Sequence, residues 1–135
     1  MLRIAKSFHF AAAHKLYRED WSEAQNIDVF GKCFRLHGHN YKLTVEVGGD
    51  VDPDTAMVLN YYQLTDIVER VIIREWDHQY INDLYDFQTY RLLTTAENML
   101  MVTKRLLDPN FQGTPYYLTE ITLRESERTY ARWIR

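Results

Sequence analysis

Cys33-Phe34-Arg35-Leu36-His37-Gly38-His39-Asn40-Tyr41 brings two imidazoles within one residue of each other, four positions after the only cysteine of the chain. Side chains two apart on a strand leave the same face. A strand beginning near His37 therefore sends both rings out of one side, with Gly38 adding no competing side chain between them. This is a chelating arrangement. A third imidazole is offered by His14, which shares its parity with Phe10 and Ala12 at the end of a run of small alanines. Three neutral imidazoles suit zinc rather than a hard cation. Three protein ligands also leave a fourth position open, the mark of a catalytic and not a structural site. Cys33 has two readings. It is a fourth ligand that closes a structural Cys-His site, or a base beside the ion whose thiolate is favoured by the metal, Lys32 and Arg35.

Asp77-His78 is the second pair of interest. It is either an exposed polar stretch after a helix, or a proton shuttle in which Asp77 fixes the tautomer of His78. Glu125 falls on the core parity at the end of a strand, where an unpaired carboxylate is costly. It pairs with an arginine such as Arg128, or it receives N–H groups from a ligand. Glu120 is the weaker candidate because it falls on the opposite face, and His9, opposite in parity to His14, reads as structural.

These groups need a scaffold. The chain has 135 residues, enough for one domain over 1–135, with 46% hydrophobic and 26% charged residues. A formal net charge of −3 gives no reason to expect nucleic-acid binding. No apolar run approaches a membrane span, and Met1-Leu2-Arg3-Ile4-Ala5-Lys6 lacks a signal-peptide core. With one cysteine no internal disulfide is possible, which fits a reducing cytoplasm. Ten tyrosines and three tryptophans exceed what a small core needs and point to stacking sites or subunit interfaces.

Residues 2–10 read as a strand that runs on to His14, and 15–32 as a long loop with one helical turn near Ser22. Alternation over 39–47 gives the second strand, ended by Gly48-Gly49-Asp50. Leu64, Ile67, Val68, Val71 and Ile72 give a helix over 60–75, and the polar, aperiodic stretch 76–83 reads as loop. Thr94-Thr95-Ala96-Glu97 has capping-box spacing, so a second helix starts at Thr94 and stops at Asp108-Pro109. Strands follow over 117–123 and 128–134. Two strands, two helices and two strands form an α+β unit: a four-stranded antiparallel sheet covered by both helices on one face. Its two open edges are best closed by oligomerisation into a barrel, with active sites where subunits meet.

Phe10-x-Ala12-Ala13-His14, Phe30-Gly31-Lys32-Cys33, His37-Gly38-His39-Asn40-Tyr41, Asp77-His78 followed by Asn82, Thr95-Ala96-Glu97-Asn98 and Glu125-Ser126 resemble the 6-pyruvoyltetrahydropterin synthase / 6-carboxytetrahydropterin synthase family. The resemblance spans nearly the whole chain. It implies a tunnelling (T-fold) ββααββ subunit, assembled as two stacked trimers into a hexamer. It implies zinc on His14, His37 and His39, and a catalytic set of Cys33, Asp77 and His78, the Asp-His pair coming from a neighbouring subunit. Glu125 would anchor the amino-pyrimidine edge of a pterin and Thr95 would add a minor contact.

The implied substrate is 7,8-dihydroneopterin triphosphate. Zinc would hold its side-chain hydroxyls and lower their pKa. Lys15, Lys32 and Arg35, near the ligands in sequence, are the candidate triphosphate contacts. One branch of the family eliminates triphosphate to give the 6-pyruvoyl product of biopterin synthesis. The other cleaves the side chain, releasing acetaldehyde, and leaves the 6-carboxy product used for queuosine. The spacing Cys33-x-x-x-His37 resembles the bacterial 6-carboxy enzymes, whereas Met57-Val58-Leu59-Asn60 and the loop ending in Cys33 resemble the 6-pyruvoyl branch. Tyr61-Tyr62 departs from the usual Phe-Gly. The expectation adopted is the 6-carboxy enzyme. The alternatives are the 6-pyruvoyl enzyme and, from another class, a non-catalytic zinc or pterin-binding module.

Overall fold

A computed structural model describes residues 1–135. Strand β1 (Leu2–His14) pairs antiparallel with β2 (His37–Gly49) over their full length, from Leu2 opposite Gly49 to His14 opposite His37. Between them lies helix α1 (Glu23–Phe30), where only one turn was expected. A reciprocal cap starts it: the Ser22 hydroxyl accepts from the Gln25 N–H at 3.1 Å, and the Gln25 side chain accepts from the Ser22 N–H at 3.1 Å. Buried Asn26 then ties the helix to the preceding loop through the Arg18 N–H and carbonyl, at 2.8 and 3.0 Å. α1 buries no apolar stripe, so hydrophobic periodicity could not disclose it.

Helix α2 begins at Tyr61–Val68, capped by Asn60 accepting from the Tyr62 N–H at 2.8 Å. It widens into a π-turn at Glu69–Ile73 and ends as Arg74–Trp76. The wider turn keeps Ile72, Ile73 and Trp76 in the core. After Trp76 the chain leaves in extended geometry at Asp77 and turns sharply at His78, whose φ is +61°. The segment 76–83, expected as loop, contains β3 (Gln79–Tyr80), which pairs parallel with Ala12 and Ala13 of β1. Short helix α3 (Tyr85–Thr89) precedes α4 (Ala96–Leu107). The cap of α4 is Thr95, accepting from the Asn98 N–H at 3.2 Å, one residue later than expected. Thr94 is buried and serves another purpose, given below.

Strands β4 (Tyr116–Arg124) and β5 (Tyr130–Ile134) complete a sheet ordered β3-β1-β2-β4-β5. The four antiparallel strands stand as expected, and a two-residue parallel strand is added at one edge, where the chain leaving α2 runs alongside the end of β1. Phe8, Phe10, Tyr41, Leu43, Val45, Ile121 and Leu123 line the inner face, under α2 and α4. The other face carries the polar residues of each strand and no covering helix. No helix is long and apolar enough to cross a membrane.

Candidate functional site

Because β1 and β2 pair in register, their inner-face parity delivers His14, His37 and His39 to one end of the sheet, His14 opposite His37 and Ala12 opposite His39. The ring centroids of His14 lie 4.5 Å from His37 and 5.1 Å from His39, and one nitrogen from each of the three falls within 4.8 Å of the others. Gly38 leaves room between them: a Cβ there would sit a tight 3.2 Å from the Ala12 carbonyl oxygen, and β1 would have to give slightly to admit it.

Two rings are aimed by carbonyls. His14 Nδ1 donates to the Thr94 carbonyl at 2.7 Å, and His37 Nδ1 to the Arg35 carbonyl at 2.7 Å, which leaves each Nε2 as the free lone pair. Thr94 is itself fixed, its hydroxyl bonded to the Lys15 carbonyl at 3.3 Å and the Asn82 side chain at 3.1 Å. Asn82 also clamps Lys15, the residue after His14, taking its N–H at 3.0 Å and giving to its carbonyl at 2.8 Å. Thr94 is a positioning residue that sequence reasoning assigned to a helix cap. Nothing in its local spacing signals a carbonyl aimed at a ring eighty residues away.

Burial pulls His14 down to about 4, with the Thr94 carbonyl opposing and the neighbouring imidazoles adding to the fall. His39 is lowered by burial and by His37. Both shifts favour the neutral, lone-pair form that a metal requires. His14 Nε2 is buried with no partner in the protein, and an orphaned buried nitrogen calls for a ligand. The donor set fits a zinc ion. The sulfur of Cys33 is not part of this converging group, so a closed Cys-His staple does not form.

Cys33 lies on a short 3-10 turn, Gly31–Phe34, with its side chain exposed. Its carbonyl accepts from the Leu16 N–H at 2.8 Å, which holds the turn against the residues following His14. Asp77 and His78 meet as a pair, His78 Nδ1 and Asp77 Oδ2 being 3.0 Å apart. The other carboxylate oxygen accepts from the Ala11 N–H at 2.9 Å. That bond, followed by the contact to His78, holds the Asp77 carboxyl below its usual range. An ionised Asp77 keeps the proton on Nδ1 and frees Nε2 of His78, whose ring is largely exposed. No hydrogen bond joins His78 to Cys33 within the chain.

Glu125 follows β4 and is partly buried; no ion pair with Arg128 or any other arginine forms, so the arginine-paired reading is set aside. Burial and the charge of Glu97 raise the Glu125 carboxyl, and His37 opposes. Thr95 is engaged as the α4 cap. The side chains of Lys32 and Arg35 are exposed, and Lys15 lies over the rings of Phe34 and Tyr17 at 4.4 and 4.9 Å.

A sequence model of the family described as 6-pyruvoyl tetrahydropterin synthase matches residues 3–134. The chain is 38% identical over 100 residues to the 6-pyruvoyl tetrahydrobiopterin synthase of Homo sapiens, covering 72% of this chain and 68% of that protein. It is 35% identical over 102 residues to the 6-carboxy-5,6,7,8-tetrahydropterin synthase of Haemophilus influenzae, covering 73% and 65%. The solved structure of Caenorhabditis elegans 6-pyruvoyl tetrahydropterin synthase matches with a TM-score of 0.88 at 29% identity, over 99% of this chain and 95% of that one.

Proposed function

The chain belongs to the 6-pyruvoyl tetrahydropterin synthase family, and from that premise we propose that it is a zinc-dependent lyase acting on 7,8-dihydroneopterin triphosphate. The observation that carries this reading is the convergence of His14, His37 and His39, with His14 Nε2 buried and unpartnered among them. Zinc bound there supplies Lewis-acid polarisation of the substrate's side-chain hydroxyls. Cys33, outside the ligand group and exposed, is free to take a proton from that side chain. His78 returns or relays protons through Nε2, held in one tautomer by Asp77. Glu125 takes the N–H groups of the pterin's amino-pyrimidine edge, and Thr95 adds a minor contact there. Lys15, Lys32 and Arg35 face the triphosphate.

The product assigned is 6-carboxytetrahydropterin, with release of acetaldehyde and triphosphate, on the spacing Cys33-x-x-x-His37. The 6-pyruvoyl product is the second reading, favoured by Met57-Val58-Leu59-Asn60 at the entry to α2 and by the likeness to the human protein. Both readings place the enzyme in the cytoplasm as a hexamer of two trimers, with Asp77-His78 serving the neighbouring subunit's site.

Incubation with zinc and 7,8-dihydroneopterin triphosphate, followed by mass spectrometry, separates them. Acetaldehyde with a 6-carboxy pterin supports the first, and a 6-pyruvoyl pterin supports the second. No turnover leaves a binding module. Replacing the thiol tests the division of labour: Cys33→Ala keeps a full complement of zinc by elemental analysis and loses activity about a hundredfold or more. Loss of zinc from that variant would contradict the assignment.

A further inference from the structure

The uncovered face of the sheet carries a row of polar side chains, with two cations at its centre, that the proposed reaction does not use. Register places His9 opposite Lys42, Lys42 opposite Arg124, and Arg124 opposite Tyr130, so the four lie on one line across β1, β2, β4 and β5. Their parity is that of the outer face, since Phe8, Phe10, Tyr41, Leu43 and Leu123 on either side are buried. Lys42 and Arg124 are thus like charges set directly opposite each other, an arrangement that destabilises a sheet. Neither side chain has an ion pair or a hydrogen bond within the protein.

The acids that share this face are already engaged. Glu46 meets Arg3 at 3.5 Å and accepts from the Thr119 hydroxyl at 2.7 Å. Glu120 meets Arg132 at 3.2 Å and accepts from the Thr122 hydroxyl at 2.9 Å. A second copy presenting the same face would likewise bring no spare carboxylate at these positions. Tyr130 holds the row at its end: the Arg124 guanidinium lies 4.4 Å from its ring centroid and that of Arg132 lies 5.2 Å away. A ring already flanked by two guanidiniums offers little platform for stacking a nucleobase.

We infer that Lys42 and Arg124, with His9 beside them, form a binding site for an inorganic polyphosphate on the outer face of the sheet. Adjacent strands are about 4.8 Å apart, so cations in successive strands meet successive charges of an extended oxyanion. Charge-assisted bonds to the phosphate oxygens offset the repulsion between the two cations.

The test is calorimetric titration of the zinc-loaded protein with sodium tripolyphosphate. It is run on the wild type, on Lys42→Ala/Arg124→Ala, and on Lys15→Ala/Lys32→Ala/Arg35→Ala, which removes the candidate triphosphate contacts near the histidines. The outer-face pair is expected to account for a site whose affinity falls about tenfold or more in the first variant and survives in the second. Raising the salt should weaken that site. The melting temperature of Lys42→Ala/Arg124→Ala should equal or exceed that of the wild type, since a like-charge pair is gone, and Lys42→Gln/Arg124→Gln serves as a second form with similar side-chain bulk. Unchanged affinity in both outer-face variants would overturn the site. So would loss of all tripolyphosphate binding in the Lys15/Lys32/Arg35 variant alone, orthophosphate binding as tightly as tripolyphosphate, or adenosine triphosphate binding more tightly than either.

Discussion

At His14 two effects act in opposite directions, burial against the charged form and the Thr94 carbonyl in favour of it, and burial wins. The consequence for stability has a definite sign. The unfolded imidazole protonates near 6.5 and the folded one near 4, so below 6.5 the unfolded chain binds the extra proton. Stability of the metal-stripped protein is therefore complete above that value and falls as the pH drops from 6.5 towards 4, by up to about 3 kcal/mol from this one group. Urea midpoints measured at both ends of the window check this. The drop should shrink in His14→Gln, which has nothing to protonate; an equal drop in both proteins would remove His14 as its source. The same neutrality serves the proposed metal, because a protonated imidazole has no lone pair to give.

At the scale of elements, the site depends on two connections more than on the strands themselves. One is the approach to α4, where consecutive threonines divide the work: Thr94 turns its carbonyl to His14 and Thr95 caps the helix. Thr95→Ala should lower stability by about 1 kcal/mol in urea denaturation, and Thr95→Ser should restore it, as expected for a cap. Full stability in the alanine variant would mean that the hydroxyl is kept for a ligand. The other connection is the exit from α2, where the π-turn, the extended Asp77 and the left-handed His78 bring the Asp-His pair to the edge of β1. The His78 N–H donates to the Ala11 carbonyl at 2.6 Å and the Asp77 carboxylate accepts from the Ala11 N–H, so one residue of β1 fixes both ends of the turn.

For the whole molecule, β3 covers only Ala12 and Ala13 of the outer edge of β1, and β5 forms the opposite edge with Tyr130 and Ile134 exposed. Exposed strand edges invite pairing with another copy. Within the chain Asp77-His78 has no bond to Cys33, which is the arrangement required if the pair serves a neighbour. Mixing supplies the test. Cys33→Ala and His78→Ala, each inactive alone, should on dissociation and joint reassembly regain about a quarter of wild-type activity, the share of sites that draw an intact thiol and an intact imidazole from different chains. Light scattering should give a mass of three or six chains. A monomer, or mixed variants that stay inactive, would end the shared-site reading.

Local pattern alone disclosed most of this molecule. Strand parity placed His37 and His39 on one side of their strand, and His14 on the side of Phe10 and Ala12 in its own, before any pairing was known, because a period of two depends only on the strand's own pleat. Helical spacing located α2 and α4 for the same reason. What spacing could not reach were contacts made across the fold: α1, held by a buried Asn26 rather than an apolar stripe; β3, a strand only because β1 lies beside it; and Thr94, whose carbonyl aims a ring. The Lys42–Arg124 pair on the outer face belongs with these, since its members come from separate strands and become neighbours only through the register of pairing. Periodicity is a property of a segment and can be read along the chain, whereas the partner of a buried carbonyl or an edge strand is chosen by packing in three dimensions.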